Sequence, residues 1–161
     1  MSPVTVRAAA DDDGPALIRL IEGLAAYEKL TPPDGPAAGR IVAELKRERP
    51  RFGTLLAEAD GEPVGYAVFF ETFSTFSGLP KLYLEDIFVL PEARKTGAGL
   101  ALFKEVVRQA DRQGCDAVEW EVLDWNRLAI DFYERIGGRH SKEWLPYRLD
   151  REGMRALLRR A

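Results

Sequence analysis

The chain carries one cysteine, Cys115, and one histidine, His140, in 161 residues. A lone thiol forms no internal disulfide and no cysteine-rich zinc site. A lone imidazole excludes any centre built on two, so no metal is expected. No run approaches eighteen uncharged apolar residues, and no membrane span is expected. The first ten residues lack the basic cap and apolar run of a signal peptide, which makes the cytoplasm the expected compartment. Charge of one sign is also scarce: 23 basic against 26 acidic residues leave a net charge of −3. That balance argues against broad nucleic-acid binding, yet it permits a local basic pocket for a small anion. No repeat or low-complexity tract is present. The one Pro/Gly-rich stretch, Thr31 to Gly39, is too short for a domain linker and reads as a loop between helices.

What is present is ample apolar material, 46% of residues, enough for one domain over residues 1–161. Val4 to Arg7 alternates like a strand. Leu17, Leu20, Ile21, Leu24 and Tyr27 recur at helical spacing, which predicts a helix from Pro15 to Lys29. A second helix is predicted from Gly39 to Glu48, before Pro50. Strands are predicted at Phe52 to Ala59, Pro63 to Phe73 and Lys81 to Leu90, with a hairpin turn at Asp60-Gly61. A helix from Gly99 to Gln113, a strand from Ala117 to Leu123 and a helix from Arg127 to Ile136 follow. The chain should close with a strand from Glu143 to Leu149 and a helix capped by Asp150. The order βααβββαβαβα implies an α/β fold of the α+β kind, with a mixed sheet and a right-handed crossover.

The segment richest in chemistry is Tyr83 to Phe103, YLEDIFVLPEARKTGAGLALF. It is a strand, a loop carrying Arg94-x-x-Gly97-x-Gly99, then a helix. The first turn of a helix presents unpaired N–H groups and the positive end of the macrodipole. Glycines let that backbone approach an anion, and Arg94 and Lys95 add charge. The physical reading is a pyrophosphate cradle. The alternative is a glycine-softened loop with two solvated cations. A dinucleotide site would want a third glycine where Leu102 stands, and a P-loop would want Gly-Lys-Ser/Thr.

Arg-x-x-Gly-x-Gly after a strand and opening a helix resembles the acetyl-CoA signature of the GNAT N-acetyltransferases. Downstream, Asn126-Arg127-Leu128-Ala129-Ile130-Asp131-Phe132-Tyr133-Glu134-Arg135-Ile136-Gly137 resembles that family's Asn-x-x-Ala-x-x-Phe-Tyr-x-x-x-Gly segment. Within the family the chain is most similar to the diamine (spermidine/spermine) and thialysine branch, through Leu24 to Glu28, Tyr83 to Asp86 and Asn126 to Gly137.

The resemblance implies acetyl transfer from acetyl-CoA to a primary amine of a small molecule. It also implies a homodimer, with no nucleic-acid or membrane partner. The backbone of Arg94, Lys95, Thr96, Gly97, Ala98 and Gly99 would hold the cofactor pyrophosphate. Ile87, Phe88 and Val89 would offer main-chain groups to the pantetheine arm and a donor to the developing oxyanion. Asn126 and Phe132 would line the cofactor, although Asn126 is also a natural helix N-cap. Tyr133 matches the general acid that protonates the leaving thiolate; its other reading is a core aromatic.

Glu85 matches the general base. An alkylamine arrives protonated, with a reference pKa near ~10.4, and must lose a proton before it attacks. Strand alternation would put Asp86 on the opposite face from Glu85, where it would supply charge for the substrate. The alternative for both is a strand end whose acids meet Lys81 or Arg94. Tyr27 and Glu28 match an acceptor-binding pair; the alternative is a helix end with Tyr27 buried and Glu28 solvated.

Two departures point away from long polyamines. Ser74, Thr75 and Phe76 stand where polyamine enzymes carry an acid and a tryptophan, and Leu145-Pro146 precedes Tyr147. A shorter amine, or an amino acid whose carboxylate meets Arg148 or another base, enters as an alternative acceptor. The rival readings are an enzyme of the same fold acting on a protein or peptide, and an acyl-CoA sensor without turnover.

Overall fold

In the computed structural model, which describes residues 3–160, the chain divides into two compact units, Met1–Glu121 and Val122–Ala161. The first unit holds strands β1 (Thr5–Ala8), β2 (Gly53–Ala59), β3 (Glu62–Ser74), β4 (Leu79–Val89) and β5 (Val118–Trp120), with helices α1 (Gly14–Glu28), α2 (Gly35–Leu45) and α3 (Ala98–Arg112). Short 3-10 turns lie at Asp11–Asp13 and Pro91–Ala93. The sheet runs β1-β2-β3-β4-β5, antiparallel except for the parallel β4–β5 pair. The mixed sheet matches expectation.

Local chemistry accounts for these elements. Asp60 (φ 55°) and Gly61 (φ 79°) make the two-residue turn that joins β2 to β3. Leu17 and Leu20 of α1, Leu45 of α2, Leu56 of β2, Tyr66 and Val68 of β3 and Phe88 of β4 form one core between α1/α2 and the sheet. On the other face α3 buries Leu102, Phe103 and Val106. Phe103 meets the Trp120 ring edge-on at 5.2 Å. The Asp13 carboxylate accepts from Arg7 (2.9 Å) and from the Ala10 amide (2.6 Å), locking the start of α1 to β1.

Three boundaries differ from the sequence reading. The second helix starts at Gly35, inside the stretch read as a loop. Asp34 caps it by accepting from the Ala37 amide at 2.8 Å, and Pro36 fits the first turn. β5 is three residues long instead of seven. The reason lies in β4: register with β3 shifts between Val68 and Phe69, so that Val68 opposes Asp86 while Phe69 opposes Leu84. Glu85 is the extra, bulged residue. Before it, Leu82 turns its N–H to the β5 side and bonds the Ala117 carbonyl at 3.0 Å. After it, Leu90 turns its N–H to β3 and bonds the Val64 carbonyl at 2.8 Å. By alternation, Ile87 and Val89 now face the β5 side, and the parallel ladder cannot continue in step beyond Leu84↔Trp120.

The third difference is in the second unit. It contains α4 (Arg127–Arg135) and α5 (Arg151–Leu158), and the expected strand from Glu143 to Leu149 is irregular. Pro146 removes a donor from the middle of that stretch, and every residue from Ser141 to Asp150 is exposed. The observed order is therefore βααβββαβαα. Asp150 caps α5 as expected, accepting from the Gly153 amide at 2.8 Å.

Candidate active site

Beyond Leu84 the β4 edge is open, with main-chain groups of Ile87 and Val89 directed along it. The strand leads through the 3-10 turn at Pro91–Ala93 into the Arg94–Gly99 loop and then α3. Lys95 (φ 65°) and Gly97 (φ 92°) are both left-handed, which folds the loop back on itself. The Arg94 amide bonds the Pro91 carbonyl at 3.2 Å, and the Ala98 amide bonds the Thr96 hydroxyl at 3.4 Å. Among the described residues, the amides of Lys95, Thr96, Gly97 and Gly99 are bonded to no other part of the chain.

The glycines fit an anion of pyrophosphate size. A Cβ on Gly97 would meet open space, although the left-handed φ favours glycine there. At Gly99 no positive φ requires glycine, and a Cβ would touch only Val89, at 3.9 Å. Packing within the chain does not demand glycine at that position, whereas close approach of a ligand would.

The two cations differ. Lys95 is exposed beside the loop. Arg94 turns inward: its guanidinium stacks 4.5 Å from the Tyr27 ring centre and 5.9 Å from that of Phe88, and its Nε donates to the Val89 carbonyl at 3.3 Å. The side chain thus ties the end of α1 to the loop. The anion would be met there by main-chain amides and Lys95.

The acids form a group on the α1 face of the sheet. The bulge overturns the expectation that Glu85 and Asp86 point to opposite faces. Tyr83 lies on the same face as Phe70, with ring centres 5.3 Å apart, and Asp86 lies on the face of Val68. Two residues between them on one bulged turn put Glu85 and Asp86 on the same side. The Tyr66 hydroxyl donates to Asp86 Oδ2 at 3.1 Å.

Electrostatics agree. Glu85 is exposed, yet partial desolvation, with the charges of Asp86 and Glu121, raises its carboxyl above the ordinary value. Burial raises Asp86 as well, Glu28 adds to the rise, and the Tyr66 bond opposes it. Burial raises Glu28. Burial also raises Tyr83, beside Glu121, Glu85 and Glu119. Lys81 is not the partner of Glu85; it pairs with Glu119 at 2.8 Å. Among the described residues none of Glu28, Glu85, Asp86 or Glu121 forms an ion pair. Glu121 and Tyr66 were not singled out from the sequence. Their only signal was position: Glu121 lies two residues beyond the β5 residue that opposes Tyr83.

In the second unit, Asn126 is the N-cap of α4, its Oδ1 accepting from the Ala129 amide at 3.2 Å. The Phe132 and Tyr133 rings meet edge-on at 5.5 Å. Tyr133 is half-buried, as are Ile130 and Ile136 on its side of the helix. His140 is exposed and Cys115 partly buried.

The profile of the acetyltransferase (GNAT) family matches residues 22–138, spanning both the Arg94–Gly99 loop and the Asn126–Gly137 segment. The chain belongs to the GNAT acetyltransferase family. It is an acetyltransferase, and enzymes of this family use acetyl-CoA as cosubstrate. Its similarity to the thialysine N-epsilon-acetyltransferase of Sus scrofa is 38% identity over 168 aligned positions, covering 98% of each chain. With the L-ornithine N5-acetyltransferase NATA1 of Arabidopsis thaliana it shares 39% identity over 93 positions, 58% of this chain and 41% of that one. Among solved structures, an integron cassette protein from the mobile metagenome of V. cholerae superposes with a TM-score of 0.79 at 23% identity, covering 99% of each chain, a likeness of fold. No helix among the described residues is long and apolar enough to cross a membrane.

Proposed function

We propose that this GNAT acetyltransferase acetylates a primary amine of a small, cationic acceptor, an amino acid with an aminoalkyl side chain or a short diamine. The observation that carries the reading is the group of carboxylates Glu28, Glu85, Asp86 and Glu121, close to the open β4 edge and without an ion-pair partner among the described residues. The names of the similar thialysine and ornithine enzymes agree with it.

Acetyl-CoA, when bound, supplies the activated acyl group. The amides of Lys95, Thr96, Gly97 and Gly99 hold its pyrophosphate, and Lys95 adds charge. Main-chain groups of Ile87 and Val89 align the arm, those of Phe88 being turned to β3, and an N–H on the open edge stabilises the oxygen on which negative charge develops. The likeness of the Asn126–Gly137 segment to the family pattern supports the assignment of Asn126 and Phe132 to cofactor binding. Glu85, held above the ordinary carboxylate range, accepts the ammonium proton. Asp86 and Glu28, with Tyr27, hold the acceptor's charge. Tyr133 delivers a proton to the departing thiolate. The same reading carries a cytoplasmic homodimer, with no metal, nucleic-acid or membrane partner.

The test is thiol release from acetyl-CoA with a panel of amines. Lysine analogues, ornithine and short diamines should turn over with the highest kcat/KM. A preference for peptides over every free amine would overturn the acceptor class. Acetyl-CoA binding without turnover on any amine would overturn the enzymatic role of the acid group.

A further inference from the structure

Tyr66 is one of the most deeply buried large side chains of the first unit, with none of its surface exposed. It stands in the middle of β3, opposite Phe88, and joins the apolar core with Leu17, Leu20 and Leu56. A phenylalanine would satisfy that packing. The hydroxyl adds one thing: it donates to Asp86 Oδ2 at 3.1 Å, among the described residues the one hydrogen bond of either side chain. Asp86 is brought into reach because the bulge at Glu85 turns it onto the Tyr66 face. Its second oxygen, Oδ1, has no bonded partner among the described residues and is not sealed from solvent. The carboxylate is therefore fixed from below through one oxygen and presents the other.

We propose that Tyr66 is a positioning residue for acceptor recognition: its phenol holds the Asp86 carboxylate in the orientation that meets the ammonium group of the amine. The inference rests on the reading that Asp86 faces the acceptor's charge. The groups around Asp86 are Glu28 from α1, Glu85 and the Phe88 ring on its own strand, and Tyr66 from β3. Arg94 lies over the Phe88 and Tyr27 rings, and Glu121 stands beyond Glu85. Glu28 and burial favour the neutral acid, and the Tyr66 bond favours the carboxylate. Without the hydroxyl, Asp86 would hold its proton to higher pH and would lose its fixed direction.

The test compares Tyr66→Phe and Asp86→Asn with the wild-type enzyme, using the best amine of the panel at saturating acetyl-CoA. Tyr66→Phe should raise KM for the amine by about fivefold near neutrality, the scale of one net hydrogen bond. The kcat and the KM for acetyl-CoA should stay near wild type. The acid limb of kcat/KM should move to higher pH, so the defect shrinks as pH rises and Asp86 ionises in both proteins. An acid limb that stays in place, or a fall in kcat alone, would reduce Tyr66 to a packing residue and overturn the inference. Asp86→Asn should raise KM for the amine at every pH. If it leaves KM unchanged, the assignment of Asp86 to the acceptor fails first. If Asp86→Asn raises KM while Tyr66→Phe leaves both KM and the acid limb in place, only the role of Tyr66 fails.

Discussion

Glu85 shows how one backbone irregularity makes a working group out of an ordinary carboxylate. In an unbroken strand it would be separated by the sheet from Asp86. The bulge sets it beside Asp86 and near Glu121, and Lys81 is already committed to Glu119. Partial desolvation and like charge both raise its pKa, which makes it a better proton acceptor once ionised. The sign for activity follows. A base must be deprotonated, so turnover should fall as pH drops through a value above the ordinary carboxylate range. Glu85→Gln should lower kcat about 10²- to 10⁴-fold at neutral pH, abolish that acid limb and leave KM for acetyl-CoA unchanged. A variant that keeps the wild-type rate would remove Glu85 from the reaction. The cradle gives a second prediction at this scale. Gly99→Val adds atoms where the chain leaves room, so thermal unfolding should shift little. Calorimetric affinity for acetyl-CoA should fall at least about tenfold, or about 1.4 kcal/mol. Unchanged affinity would place the pyrophosphate elsewhere.

The central elements follow from patterns that depend on neighbours in sequence. Helical spacing of apolar residues announces α1, Asp60-Gly61 announces the hairpin, and Asn126 and Asp150 announce helix starts that they do cap. The features that escaped depend on partners far away in the chain. Nothing in YLED marks a bulge, because the extra residue exists only relative to β3. The same is true of Tyr66, which reads as one more aromatic in a smeared alternation until Asp86 is placed beside it. Glu143 to Leu149 has the apolar content of a strand but finds no ladder, and content alone does not make one. Asp34 was passed over because prolines on both sides suggested a loop, although Pro36 in a first helical turn is permitted. The β3–β4 pairing also depends on Gly65, where a Cβ would lie 2.7 Å from the Phe88 carbonyl and 3.0 Å from Val89. Gly65→Ala should destabilise the fold by about 1–3 kcal/mol in denaturant titration, since backbone on the far side cannot yield. A neutral result would mean that the two strands can separate there at little cost.

At the scale of the molecule, charge is distributed so that a nearly neutral protein can serve an anionic donor and a cationic acceptor. The net charge is only −3, and some acids stand in ion pairs, as Glu105 does with Arg108 and Arg112. The acid group on the α1 face gathers four carboxylates with no ion pair among the described residues. Such a local field attracts a cation without making the whole surface acidic. Its reach is set by screening, which shortens from about 30 Å to about 10 Å between 0.01 M and 0.1 M salt. With acetyl-CoA saturating, kcat/KM for a cationic amine should therefore fall as salt rises over that range. The fall should be steeper for a diamine than for an acceptor that carries its own carboxylate, because the second positive charge feels the same field and the carboxylate opposes it. Steady-state rates for both acceptors at each salt concentration measure the two slopes. Equal slopes would mean that acceptors are chosen by shape and hydrogen bonding, and that the carboxylates serve proton transfer alone.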